Sequence, residues 1–178
     1  MSDATKHELA FSTAKAESVN AGRRLNLGLG LLAVIGIGLA GYMSYTDLLG
    51  TIPVCGGIGD CETVHTSAYA FIAGVPVAVL GLVSYVAVAG LVLGRQAVNG
   101  MTAYLASLGI LVMAISGTLF SAFLTYVEFF VIDAVCPWCV ASALTITSML
   151  ILSAVDVVRQ TRGWHPSRTD YAAERSSL

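Results

Sequence analysis

Four cysteines carry the reactive chemistry of this sequence: Cys55, Cys61, Cys136 and Cys139. Cys55 and Cys61 bracket Gly56-Gly57-Ile58-Gly59-Asp60, a short loop whose glycines leave it free to open and re-form. The second pair is a C-x-x-C run, Cys136-Pro137-Trp138-Cys139. Thiols at these spacings can exchange disulfides, close as structural staples, or hold zinc. Four cysteines permit three pairings, and spacing favours Cys55 with Cys61 and Cys136 with Cys139.

Pro137 suits the first position of a helix, where its missing N–H costs nothing. That puts Cys136 near the N-cap, where the helix dipole and free N–H groups stabilise a thiolate. Cys139, three residues on, lies on nearly the same face and roughly 4.5 Å deeper. Cys136 is therefore expected to be the water-side thiol, and Cys139 the one that meets a lipid-soluble molecule. An exposed C-x-x-C at a helix start makes a poor staple. The loose spacing of the other pair and the lack of a completing histidine argue against zinc, so no metal is expected. His7, His65 and His165 read as solvated and without a catalytic role.

The elements that must position these thiols follow from composition. Of 178 residues, 56% are hydrophobic and 11% charged, a charge content far below that of a soluble domain. Four runs carry no charge: Leu25 to Tyr45, Val75 to Gly94, Met101 to Val127 and Val135 to Val155. Each is about 20 residues or more, enough for a helix to cross the hydrocarbon layer. Open sheets cannot, because their backbone groups would go unpaired. The fold class expected is an all-α membrane protein, a four-transmembrane-helix bundle with a short interfacial helix in the first outer loop. Its parts are a polar tail over 1–24, mobile from Ser2 to Asn20, a membrane domain over 25–155 and a polar tail over 156–178. The helices fall at about 25–45, 75–94, 101–127 and 136–155, with an outer loop over 46–74. Gly36, Gly38 and Gly41 read as packing positions. The first run is longer than a signal-peptide core and lacks a cleavage pattern, so it reads as a retained helix.

All nine Lys and Arg residues fall in the two tails and the short connection holding Arg95. The positive-inside rule makes that side cytoplasmic, with both termini inside and all cysteines outside. Outside a bacterial inner (plasma) membrane is an oxidising place where disulfides persist. No basic patch supports nucleic-acid binding. Glu62 to Ala73 reads as the interfacial helix. Ser67, Ser142 and Tyr126 are placed to line an outer-leaflet pocket, with Ser142 on the face of Cys139.

Cys55 with Asp60-Cys61, Ser67-x-Tyr69-Ala70, Gly74-x-Pro76-x-Ala78 with Gly81, and Cys136-Pro137-Trp138-Cys139 together resemble the bacterial homologues of vitamin K epoxide reductase. The resemblance spans about Arg24 to Val155. It implies a monomeric four-helix bundle around a quinone, ubiquinone or menaquinone, as electron acceptor. By the same resemblance, Cys55 exchanges with a periplasmic thioredoxin-fold partner, Cys61 passes electrons to Cys136, and Cys139 faces the quinone. Ser67 matches a serine that supports the loop and the quinone. Animal enzymes carry a tyrosine where this chain has Ala143, which weakens the case for epoxide reduction. Many bacterial members of that family carry a fused thioredoxin-like domain; none is expected in this chain, so the partner is expected to be a separate protein.

The expectation is thus a quinone-dependent thiol:disulfide oxidoreductase supporting disulfide bond formation. Two alternatives stand beside it. One is a non-enzymatic membrane scaffold stapled by two disulfides. The other sends electrons outward, reducing periplasmic disulfides.

Overall fold

The computed structural model describes residues 3–55, 59–98 and 100–163, with side chains over 20–55, 59–98 and 100–161. Its frame is four long helices: α1 (Asp3–Leu49), α3 (Val77–Ala97), α4 (Met101–Val127) and α5 (Pro137–Gly163). A short α2 (Cys61–His65) sits in the loop after α1. Among the described residues, four stretches are long and apolar enough to cross a membrane: Asn20–Leu49, Val77–Ala97, Met101–Ile132 and Pro137–Thr161. The protein is an all-α membrane bundle.

The helices pack in a ring, α1 on α3, α3 on α4, α4 on α5 and α5 on α1. Leu29, Ala33, Tyr85, Val88, Ile110 and Met149 fill the middle. Large apolar side chains such as Leu31, Leu119 and Ile151 point outward, as a lipid-facing surface requires. Of Gly36, Gly38 and Gly41 in α1, Gly36 has the clearest packing task. A methyl group there would lie 2.3 Å from the Tyr85 ring. Gly38 faces open space, so close packing does not account for it.

Residues 3–20, expected to be mobile, are helical and continuous with the first span. Extending an existing helix costs far less than nucleating one, and this stretch is rich in Ala, Glu and Lys. His7 and His165 lie outside the described side chains, as does most of the C-terminal tail.

The interfacial helix expected over Glu62 to Ala73 is cut short. α2 ends at His65, where the Thr66 and Ser67 hydroxyls bond back to the Glu62 and Val64 carbonyls at 2.7 Å each. A 3-10 turn, Ala68–Ala70, follows. Then a two-residue hairpin pairs Phe71 with Pro76 and Ile72 with Val75 across Ala73-Gly74, both at positive φ. Pro76 therefore precedes α3 instead of sitting in its first turn.

At the end away from the cysteines, Arg95 of α3 pairs with Asp156 of α5. Arg95 also donates to Asn26 of α1 (2.8 Å) and to Ser107 of α4 (3.1 Å), and Gln160 donates to Ser107 (3.0 Å). One polar cluster thus ties all four long helices together.

Candidate functional site

The cysteine end is assembled by short anchors. Gly59 has φ +82°, and a methyl group there would lie 2.2 Å from the Val135 carbonyl oxygen. Only glycine lets the loop approach the C-x-x-C segment this closely. Asp60 then donates its N–H to that same carbonyl (3.1 Å). Its side chain caps α2 through the Thr63 N–H (3.0 Å) and hydroxyl (2.6 Å), which hold the Asp60 carboxyl below its usual range. On the other side of the loop, Tyr42 and Trp138 grip Val54. The tyrosine hydroxyl accepts its N–H and the indole N–H donates to its carbonyl, both at 3.1 Å. The two rings pack with centroids 4.9 Å apart. Trp138 inside the C-x-x-C run is thus a clasp for the backbone beside Cys55.

Cys55 and Cys61 are joined by a disulfide, with Cα atoms 6.3 Å apart. Cys136 and Cys139 are free thiols. The Cys61 and Cys136 sulfurs stand 3.7 Å apart. Gly56, Gly57 and Ile58, the centre of the expected flexible loop, lie outside the described residues. α5 starts at Pro137, and the Cys136 carbonyl accepts the Val140 N–H (3.1 Å), so Cys136 is the residue just before the helix, as Pro137 predicts. It is not the water-side thiol, however. Cys136 is 0% exposed, because Met43, Cys61, Val64 and Ala134 pack around it.

His65 is the residue that sequence reasoning misjudged. It is not solvated. Its Nδ1 meets Asp47 Oδ1 at 2.8 Å and its Nε2 faces Cys136 Sγ at 4.0 Å. The signal available was its place four residues after Cys61, on the same face of one helical turn. Glu128 was also missed. It opens a π-helical turn, Glu128–Ile132, which closes at Asp133 in the left-handed conformation. Such turns often mark functional positions. The Glu128 carboxylate is buried, accepts the Cys136 N–H (3.2 Å) and faces the Cys139 thiol.

The Cys139 thiol, hydrogen-bonded to the Cys136 sulfur, brings Cys136 down to about 5 against the opposing effect of burial, and His65 adds to the shift. Burial works against a charged His65, but the Cys136 sulfur and Asp47 outweigh it, so the imidazole titrates above its ordinary value. The pair favours a Cys136 thiolate beside a protonated imidazole.

Below these groups lies a cavity of about 520 Å³, mostly apolar, reaching from His65, Glu128 and Cys139 down to Tyr85 and Ile146. Ser67 and Ser142 both line it. Ser67 Oγ donates to its own turn, at Val64 O. Ser142 Oγ lies 3.1 Å from the Tyr85 hydroxyl, which also donates to the Ser142 carbonyl. Tyr85 was not anticipated; a tyrosine inside an apolar run was its trace in the sequence. Tyr126 is not among the lining residues. It is 58% exposed and stacks on Phe130 at 4.9 Å, because its position on α4 turns it to the outer surface.

No curated protein matches the chain. The model of the vitamin K epoxide reductase family matches residues 27–154, from within α1 to near the end of α5, and so covers the bundle, the cysteine loop and the C-x-x-C segment. The chain belongs to the vitamin K epoxide reductase family and is a multi-pass membrane thiol–disulfide oxidoreductase.

Proposed function

We propose that the protein oxidises a dithiol partner of thioredoxin fold at the outer face of a bacterial plasma membrane and passes the electrons to a membrane quinone. The supporting observation is an unbroken line of sulfur: the Cys55–Cys61 disulfide, 3.7 Å to Cys136, then Cys139 on the wall of the cavity. The orientation rests on the basic residues, since Arg23 and Arg95 border the end away from the cysteines.

In this reading the partner's thiolate attacks the Cys55–Cys61 bridge and leaves both loop thiols reduced. Cys61 then attacks Cys136 in its bridge with Cys139, forming Cys61–Cys136 and releasing the Cys139 thiolate. Cys55 attacks Cys61 in turn, restores the loop disulfide and expels Cys136. A thiolate with a pKa of about 5 is a good leaving group for that step. The result is the state observed, with the loop bridged and the C-x-x-C pair reduced.

The cavity suits a quinone ring: apolar walls, the Ser142–Tyr85 hydroxyl pair and Cys139 at its side. A quinone held there takes up the two electrons and two protons released as Cys136 and Cys139 close. Glu128, facing Cys139, is placed to hold the proton that the thiol gives up. The scaffold reading calls for two closed staples, and the free Cys136 and Cys139 weigh against it.

The test mixes the purified protein in detergent with a reduced thioredoxin-fold protein and a soluble quinone, and follows quinone absorbance. Quinone reduction that disappears in Cys139→Ala is expected. No reduction with ubiquinone or menaquinone analogues and several partners would overturn the proposal.

A further inference from the structure

His65 Nε2, Cys136 Sγ and Cys139 Sγ lie within 4.8 Å of one another, contributed by α2, the residue before α5, and α5 itself. In a tetrahedral zinc site, donor atoms at about 2.0–2.3 Å from the ion are roughly 3.5 Å apart. Cys136 Sγ and His65 Nε2, at 4.0 Å, need to close by only about half an ångström. The Glu128 carboxylate bonds the Cys136 N–H (3.2 Å) and braces the site from beside it.

The imidazole is also held from behind. Asp47 Oδ1 sits 2.8 Å from His65 Nδ1, the carboxylate–histidine arrangement that keeps the Nδ1 proton and leaves the Nε2 lone pair for a metal. Here Nε2 faces the thiols. We propose that the reduced protein binds one soft divalent cation of the zinc type through His65, Cys136 and Cys139, and that the ion halts turnover. Two thiolates and an imidazole select zinc-like ions over magnesium or calcium. The cysteine-only zinc site weighed from the sequence failed on spacing; this one draws its third donor from a histidine on a different element.

The site is gated by redox state. Closing the Cys136–Cys139 disulfide consumes both sulfur donors, so only the reduced pair binds. Cys61, near Cys136, is engaged with Cys55 and is not needed as a ligand. Inhibition rests on the quinone-linked reading above; binding does not.

The experiment uses the full chain in detergent as Cys55→Ser/Cys61→Ser, which retains every proposed ligand, reduced and freed of reductant. Cobalt(II) is the probe, titrated anaerobically and then displaced by zinc. One cobalt per chain is expected, with thiolate-to-metal charge-transfer absorption. Affinity should fall at least about tenfold in His65→Ala and about tenfold in Asp47→Asn, where His65, Cys136 and Cys139 all remain. Protein with the C-x-x-C pair oxidised should give no band. A missing band, a band unaffected by both substitutions, or an equal band in oxidised protein would overturn the site. In wild-type protein, zinc should stop quinone-driven reoxidation of the thiols. Stoichiometric binding with undiminished turnover would overturn the inhibition. Absent turnover without zinc would count against the oxidase reading while leaving the cobalt titration decisive for the site.

Discussion

The two ends of the bundle both bury polar groups, but with opposite partners. At the far end, Arg95 meets a carboxylate, an amide and a hydroxyl drawn from the other three long helices. These are strong, directional bonds between groups that do not exchange. At the cysteine end, Cys61 lies 3.7 Å from Cys136, and Cys136, Cys139 and His65 lie within 4.8 Å of one another, through sulfur, a weak hydrogen-bonding partner. Here the order comes from around the reactive atoms: Gly59 and Asp60 on Val135, Val54 between Tyr42 and Trp138, and Glu128 on the Cys136 N–H. A satisfied network holds one arrangement. A sulfur cluster held by its surroundings can change bonds without losing its place.

Substitution should separate the two ends sharply. Cys136→Ala should abolish partner-to-quinone turnover to background while leaving thermal stability close to wild type. Full turnover in that variant would break the relay. Arg95→Met should do the reverse. It strands Asp156 without its buried partner, at a cost of about 3–5 kcal/mol, while the folded fraction keeps its Cys136 thiolate. Replacing both, as Arg95→Met/Asp156→Leu, should recover most of that loss, since a buried ion pair is often no better than an apolar one. Thermal unfolding in detergent, read beside thiolate absorbance, checks both arms. If the double variant remains as unstable as the single one, the far end depends on Asn26, Ser107 and Gln160 more than on the ion pair.

Gly59→Ala should come next. Its methyl group would meet the Val135 oxygen and its positive φ would be strained by about 1–2 kcal/mol. The loop should undock from the C-x-x-C segment, slowing transfer from Cys61 to Cys136 by about tenfold or more. Exchange between Cys55 and the partner should be spared. Trapping the partner on Cys55 and the Cys61–Cys136 species separately distinguishes these steps, and equal slowing of both would mean that Gly59 serves partner docking as well.

The pH dependence sharpens the electrostatic side of the comparison. Cys136, lowered to about 5, is a thiolate at neutral pH and gains its proton as pH falls through that value. His65→Gln removes a group that favours the thiolate, so the midpoint should move upward and the thiolate fraction in mildly acidic solution should fall. Thiolate absorbance of the reduced protein against pH reads this directly. An unmoved midpoint would assign the whole shift to the Cys139 thiol.

What could be read in the sequence were features written in short stretches of chain. Uncharged runs marked the spans, and Pro137 marked Cys136 as the residue before a helix. What could not be read was convergence. His65 looks solvated until Asp47 from α1 and Cys136 from beside α5 close around it. Cys136 looks water-facing until Cys61 and Val64 pack against it. Glu128, at the end of an uncharged run, gives no sign that a π-helical turn will aim it at a thiol. The loop helix failed for a local reason: apolar periodicity suggested its length, but back-bonding by Thr66 and Ser67 and the Ala73-Gly74 turn ended it.

The smallest effects belong to the cavity floor, midway between the ends. Ser142 and Tyr85 exchange hydrogen bonds of 3.1 Å. Ser142→Ala removes the bond between the two side-chain hydroxyls, about 0.5–1.5 kcal/mol, but leaves the Ser142 carbonyl as acceptor for Tyr85. Tyr85→Phe removes both. If these hydroxyls contact the quinone, each variant should raise KM for quinone by up to about tenfold, with kcat nearly unchanged and Tyr85→Phe the stronger. If they only brace α3 against α5, stability should fall with no change in KM. Tyr126→Phe, on the outer surface, should move neither quantity and so calibrates the other two. A quinone KM that rises for Tyr126→Phe but not for Ser142→Ala would place the ring outside this cavity, against the lipid-facing side of α4.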